Sequence, residues 1–426
     1  MPDRDKAVRG PIRVSANGRY FVDTDGDPFF WLGDTAWPLF TSYPKEAAEA
    51  YLANRASKGF TVIQGVLAWG DPTPPNLEGT PPGPNYAGHR PWNENPAEPN
   101  PAFFAHVDHL LRFAHERGLI LGILPTWGYN VNNARVFNEE NAYAYGKWIG
   151  ARYRDQPNIV WINGGDREPL GFEAVYRALA HGLRAGDGGA HLITYHTCGW
   201  HSSSYYFHTE DWLDFNMIQT WTEWTKVYPA VAADRALLPA KPVVLGEPAY
   251  ENGPEYPMGP ITPLVVRRQA WWAFMAGGFF TYGQNQMWRM EPGWTETFDT
   301  PGAAHMTHFK AIAASRPWHQ AIPDQGLFAS GVSAERTLNT AIRAIDRSWA
   351  MLYLSSQCHA LIYIDRIATR RVRATWVNPQ NGETKDAGTY ATGNRIEGQV
   401  FPSWTMQWFS TPAHWEDAVL ILDGVD

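Results

Sequence analysis

Two carboxylates are placed where they can do chemistry. Asp166 closes the segment NIVWINGGD (158–166), and Glu247 stands near the end of KPVVLGEP (241–248). Each ends a continuously apolar run, the pattern of a strand buried on both faces. A carboxylate is costly to desolvate at such a place unless it is paired or put to use. Two carboxyl groups facing one another across a pocket can divide the work of breaking an acetal. One protonates the departing oxygen, and the other attacks the anomeric carbon or activates water. The plain alternatives are local: Asp166 as an N-cap or a partner of Arg167, and Glu247 as half of an ion pair with a neighbouring arginine.

Other polar and aromatic residues recur at the ends of similar runs. Asp34 ends PFFWLGDT (28–35), with Trp37 just beyond, and Gln64 lies in TVIQGVL (61–67). Trp127 ends LILGILPTW (119–127), and His196 lies in HLITYHT (191–197). Gln219 and Trp221 belong to FNMIQTW (215–221), while Tyr282, Gln284, Asn285 and Trp288 belong to GFFTYGQNQMW (278–288). Carboxylates and amides suit hydroxyls, and indole rings suit the apolar faces of sugar rings. Asp34 is read as a partner of sugar hydroxyls, or else a structural cap. His196 is read as touching substrate or Glu247, or else as a core histidine. Glu168, Glu223 and Glu251 fall in the adjoining loops as reserve carboxylates, solvated or supporting. His106, His109 and His115 share one helix without an acidic pattern and are read as surface residues, so no metal site is expected there.

The elements that would position these residues alternate. Strand-like runs at 28–35, 61–67, 119–127, 158–166, 191–197, 215–221, 241–248 and 278–288 are mostly followed by helical stretches. Those stretches are 45–58, 101–117, 139–155, 172–185, 225–237, 264–276 and 303–314, several of them ended by glycine, as at Gly59, Gly118, Gly186 and Gly277. Eight strands alternating with helices predict an α/β fold, the (β/α)₈ TIM barrel, whose active sites lie at the C-terminal ends of the strands. A doubly wound sheet would want a glycine-rich phosphate fingerprint, and GDTAWPLF is not one. Before the barrel, Asn17-Gly18 predicts a two-residue hairpin turn. Residues 68–100, rich in Pro, Gly and Asn, form a long loop. Beyond Ala321-Ile322-Pro323 the runs become short and alternating, at 340–345, 349–355, 360–365, 371–377, 405–409 and 419–422. These predict a C-terminal antiparallel β-sandwich. The expected division is therefore 1–320 for the barrel with its hairpin and 321–426 for the sandwich.

Composition excludes several classes. The net charge of −8 and the lack of like-charge runs argue against a nucleic-acid binder. No apolar stretch is long enough to span a membrane. Two isolated cysteines, Cys198 and Cys358, give neither a disulfide framework nor a zinc site. The first residues, MPDRDKAVRGPIRVS, carry no apolar signal region, so a cytoplasmic location is expected. The 21 Trp, 19 Tyr and 20 Phe are an unusual load and fit a carbohydrate partner. No cofactor is required by this chemistry, and the oligomeric state is left open.

Several blocks together resemble one family. VSANGRYFVDTDGDPFFWLGDTAWPLF, YLANRASKGFTVIQ, NIVWINGGD, VVLGEPAYE and RRQAWWAFMAGGFFTYGQNQMW occur in the order found in the apiosidase-like glycoside hydrolases, glycoside hydrolase family 140. The tail from about 325, ending EDAVLILD, resembles a small β-sandwich named for collagen binding. The resemblance implies a retaining double displacement, with Asp166 as acid/base, Glu247 as nucleophile and Asp34 beneath the sugar. It implies β-D-apiofuranose as the sugar, released from plant glycosides or pectin fragments by exo-action. Two other readings stay open: another exo-glycosidase such as an arabinofuranosidase, and a non-catalytic carbohydrate-binding protein on a barrel scaffold.

Overall fold

A computed structural model describes residues 10–69, 82–255, 259–393 and 405–425. Part of the 68–100 loop and the first nine residues lie outside the described residues.

Eight parallel strands form the barrel: Leu32–Thr35, Val62–Val66, Ile120–Leu124, Ile159–Gly164, Ile193–His196, Asn216–Gln219, Val243–Glu247 and Phe279–Tyr282. Every residue in them is buried, which is why the sequence shows apolar runs rather than alternation. Hydrogen-bonded neighbours run in the order fifth, fourth, third, second, first, eighth, seventh, sixth. The seam between the fifth and sixth strands is bridged by Thr194 Oγ1 donating to the Phe215 carbonyl at 2.6 Å and by Asp214 N donating to Ile193 O at 2.9 Å. The sheet is thereby nearly closed.

Helices Lys45–Ser57, Pro101–His115, Glu139–Tyr153, Glu173–Asp187, Val227–Arg235, Pro263–Met275 and Pro301–Ala313 surround the strands. Their starts follow capping chemistry. Asn100 accepts from Ala102 N ahead of Pro101, and Asn138 and Asn141 cap one another reciprocally. After the fifth strand there is a short helix, Ser204–Phe207, and an added antiparallel strand, His201–Ser202. The helix expected to stop at Gly186 runs on to Asp187 and ends at left-handed Gly188. Gly186 is a packing residue instead. A Cβ there would lie 2.3 Å from the Lys147 carbonyl of helix Glu139–Tyr153, so the two helices touch backbone to backbone. The eighth strand is also shorter than expected. It ends at Tyr282, and Asn285–Arg289 is a short helix.

The N-terminal hairpin pairs Arg13–Val14 with Phe21–Val22. Ser15 N donates to Tyr20 O, so its connection is longer than the two-residue Asn17-Gly18 turn.

The C-terminal part holds a six-stranded and a three-stranded antiparallel sheet around Leu352, Leu354, Ile362, Trp376 and Phe409. It includes an edge strand, Thr384–Ala391, with no counterpart in the sequence reading; its residues are mostly exposed and polar, so they carry no apolar pattern. It packs on helix Pro263–Met275. Trp271 stacks on Tyr353 at 5.5 Å, and Arg267 grips buried Asp417 with two nitrogens at 2.8 and 3.0 Å. Among the described residues no helix is long and apolar enough to cross a membrane.

Candidate active site

The C-terminal ends of the strands surround a cavity of about 410 Å³. Asp166 and Glu247 both line it, with Trp37, Trp127, Gln219, Trp221 and Trp288. A second cavity, of about 40 Å³, lies at the N-terminal end of the eighth strand beside Tyr20, Phe279 and Trp318 and has room for water only.

Asp166 reaches the cavity through the two glycines before it. Gly164 and Gly165 take φ of 85° and 120°. A Cβ on Gly164 would meet the His196 carbonyl at 2.3 Å, and one on Gly165 would meet the Trp127 ring at 2.5 Å. Only glycine lets the chain turn back over the barrel at this point. Asp166 itself sits at φ 51° and is half-buried. Its Oδ1 accepts from Gln219 Nε2 at 2.7 Å. Arg167 donates to the Asp166 backbone oxygen, not to its carboxylate, so the carboxyl remains turned to the cavity.

Glu247 closes the seventh strand and is buried. A bulge in the pairing with the sixth strand sets Glu247 opposite Gln219, and Thr220 N donates to the Glu247 carbonyl at 3.0 Å. His196 Nε2 approaches Glu247 Oε2 at 3.0 Å, an ion-pair contact whose N–H is not aimed along that line. Tyr250 stands beside the same carboxylate and pulls its pKa down. Its phenol oxygen accepts from Trp37 Nε1 at 3.0 Å. Ligand-type atoms of Asp166, His196 and Glu247 all lie within 4.8 Å of one another.

The electrostatics of the three are shared. Burial pushes the Glu247 carboxyl up, and the Asp166 charge adds to that, while His196 and Tyr250 pull it back. For His196, burial favours the neutral ring, but the Glu247 and Asp166 carboxylates outweigh it and the pKa ends above the ordinary histidine value. The Glu247 pKa ends above the ordinary carboxylate value, with the His196 ring opposing that rise.

Indoles make the wall. Trp69, Trp127 and Trp37 follow one another at 5.1 and 5.3 Å between ring centres, and Trp37 meets His196 edge to face. Trp221 and Trp200 stand exposed at the rim with φ of 45° and 70°. Left-handed backbone at bulky residues costs energy and concentrates at working sites.

Four expected pocket residues point elsewhere. Asp34 is fully buried against the helix layer, where Arg55 and Tyr51 donate to its carboxylate. Tyr282 is buried on the same side, its hydroxyl on Glu251. Gln64 lies inside the barrel below the cavity, donating to the Gly246 carbonyl at 2.9 Å. Gln284 caps helix Asn285–Arg289 by accepting from Met287 N. Of the reserve carboxylates, Glu251 is buried and holds Thr300 and Gly302 N, Glu168 lies on the rim, and Glu223 is exposed. His106, expected on the surface, is buried under Tyr86, and burial pushes it down to about 4. His109 pairs with Glu49 at 2.6 Å. Trp69, Tyr250 and Arg289 also line the cavity, although none of them was expected there. Tyr250 was within reach, three residues after Glu247 in GEPAY, but it stands in a loop rather than at a strand end.

Residues 15–320 match the model of the family described as "Apiosidase-like, catalytic domain". The chain belongs to the apiosidase-like family. Residues 322–423 of this apiosidase-like protein match a second model, described as "Putative collagen-binding domain of a collagenase". Among curated proteins none matches it. Among solved structures, one titled "Glycoside hydrolase" superposes with a TM-score of 0.86 at 27% identity, covering 98% of this chain and 97% of the other. A family 5 glycoside hydrolase from Bacteroides vulgatus gives 0.86 at 26% identity, covering 98% and 94%. A β-L-arabinopyranosidase from Geobacillus stearothermophilus shares the fold alone, at 0.55 and 10% identity over 93% and 97%. The apiosidase-like protein is a glycoside hydrolase with a barrel and a C-terminal antiparallel domain.

Proposed function

We propose that this protein is a retaining, exo-acting glycosidase that releases a pentofuranose, with β-D-apiose as the sugar, from plant-derived glycosides or pectin fragments. The observation that carries the reading is the approach of the Asp166 and Glu247 carboxylate oxygens to within 4.8 Å across one cavity. Retaining pairs stand about 5–5.5 Å apart, whereas inverting pairs need roughly 6.5–9.5 Å to admit a water. The volume of about 410 Å³ is at the small end of ligand pockets, which suits one sugar ring and a compact leaving group.

In the proposed mechanism the ionised Glu247 oxygen attacks the anomeric carbon from the floor of the cavity. The bond from that carbon to the leaving oxygen breaks, and Asp166, nearer the mouth, gives its proton to that oxygen. Water then enters, Asp166 takes one of its protons, and the new hydroxyl displaces Glu247. Gln219 holds Asp166 in place, while His196 and Tyr250 steady the Glu247 charge.

A panel of aryl glycosides tests the sugar. Hydrolysis of the β-D-apiofuranoside above arabinofuranosides and pyranosides, lost in Glu247→Gln, supports the reading. Faster turnover of an arabinofuranoside replaces apiose with that sugar. Sugar binding without turnover of any glycoside overturns the catalytic proposal.

A further inference from the structure

Beside the cavity, outside the groups used above, three side chains from two loops converge. Glu168 follows the fourth strand two residues after Asp166, Cys198 follows the fifth, and His201 begins the short added strand. Cys198 Sγ stands 3.0 Å from His201 Nδ1 and 3.8 Å from Glu168 Oε1. His201 Nδ1 stands 3.5 Å from Glu168 Oε1. A thiol, an imidazole nitrogen and a carboxylate oxygen thus mark the corners of one small triangle.

Its edges match a coordination sphere. A tetrahedral zinc with bonds of about 2.0–2.3 Å holds its ligand atoms roughly 3.4–3.6 Å apart. The three observed separations bracket that spacing, so an ion fits with shifts of a few tenths of an ångström. Among the described residues the ion-pair partner of Glu168 is His201, and no lysine or arginine neutralises it there. The triangle is held from behind. Asn132 Nδ2 donates to the Glu168 carbonyl at 2.8 Å, and His201 is paired in register with Gln219. All three side chains are partly exposed, so an ion can arrive from solvent. Cys198 and Gly199 line the cavity, so the fourth position of a three-residue site opens towards it.

We propose that Glu168, Cys198 and His201 form a binding site for one thiophilic divalent cation, zinc by class, at the rim of the active-site cavity. Sulfur and nitrogen donors select zinc-like ions over magnesium or calcium, which take oxygen. The ion clips the loop carrying Asp166 to the loop after His196, so it stabilises the folded chain by mass action. Spacing in the sequence hides the site, since Glu168 lies thirty positions before Cys198.

Titrating the metal-free protein with Co²⁺ and following the thiolate-to-cobalt charge-transfer band tests it, with Zn²⁺ competition and thermal unfolding alongside. One equivalent of Co²⁺ with that band, displaced by Zn²⁺, is expected, and Zn²⁺ should raise Tm. Cys198→Ser, which keeps Cys358, should abolish the band. His201→Asn and Glu168→Gln should each weaken binding by more than about 100-fold, beyond the loss from an outer-shell change. Glu247→Gln should leave the band intact, which separates this site from the Asp166–His196–Glu247 group. Circular dichroism of the metal-free variants checks that each is folded, and any one folded ligand variant suffices. Absence of the band in wild type, or its survival at equal affinity in His201→Asn and Glu168→Gln, overturns the proposal. Neither outcome bears on glycoside hydrolysis.

Discussion

His196 Nε2 lies 3.0 Å from Glu247 Oε2, and both side chains are buried beneath the indole wall. The imidazolium pulls the Glu247 pKa down against burial and the Asp166 charge. His196→Asn removes that pull, so Glu247 stays protonated to a higher pH. The acid limb of kcat/KM should therefore move to higher pH, while the magnitude at the optimum falls. His196 and Glu247 are in contact, so the limb belongs to the pair rather than to one residue. A pH profile of kcat/KM checks this; an unmoved acid limb would mean that His196 only fills space.

Tyr250 stands between Trp37 and Glu247, accepting from the indole and lowering the Glu247 pKa. Tyr250→Phe deletes the hydroxyl that lowers the Glu247 pKa; a polar contact to a charged group is worth about 1.5–3 kcal/mol, or roughly 10- to 100-fold in rate. The loss should fall on kcat with little change in KM, because the ring remains. Steady-state kinetics on the preferred aryl glycoside measures the split, and a pure KM effect would assign Tyr250 to substrate binding instead.

The barrel was legible because its strands are buried on both faces and its helices start and stop with Asn, Thr, Pro and Gly. The same burial hid which strand-end residues look into the cavity. Successive side chains on a strand point to opposite sides, but a run that is apolar throughout gives no parity. Asp34 and Glu247 look alike in GDT and GEP, yet Asp34 turns out towards Tyr51 and Arg55 while Glu247 turns in. Tyr282 falls on the outward side for the same reason. Trp127, Gln219 and Trp221 were legible as members of the rim, since they stand at or past a strand end. Glu168, Cys198 and His201 meet only through tertiary structure, and nothing in their spacing announces it.

Asp34 and Arg55 form an ion pair from which water is wholly excluded. Removing one partner of such a pair strands the other, at a cost of about 3–5 kcal/mol. Arg55→Met should lower stability by that amount in chemical denaturation, with KM on the remaining folded protein unchanged, because neither residue touches the cavity. A loss below about 1 kcal/mol would show that the pair contributes no more than a surface salt bridge.

In the proposed mechanism Glu247 becomes bonded to the sugar while Asp166 handles the proton. Asp166→Ala should still be glycosylated by an aryl pentofuranoside with an activated phenol, because such a leaving group needs no proton, and should then release the sugar slowly. Mass spectrometry of the quenched, digested protein measures the outcome directly. A pentosyl adduct is expected on the peptide containing Glu247, absent when Glu247→Gln is added. An adduct on another residue, or no adduct together with an inverted anomeric product from the wild type, would contradict it.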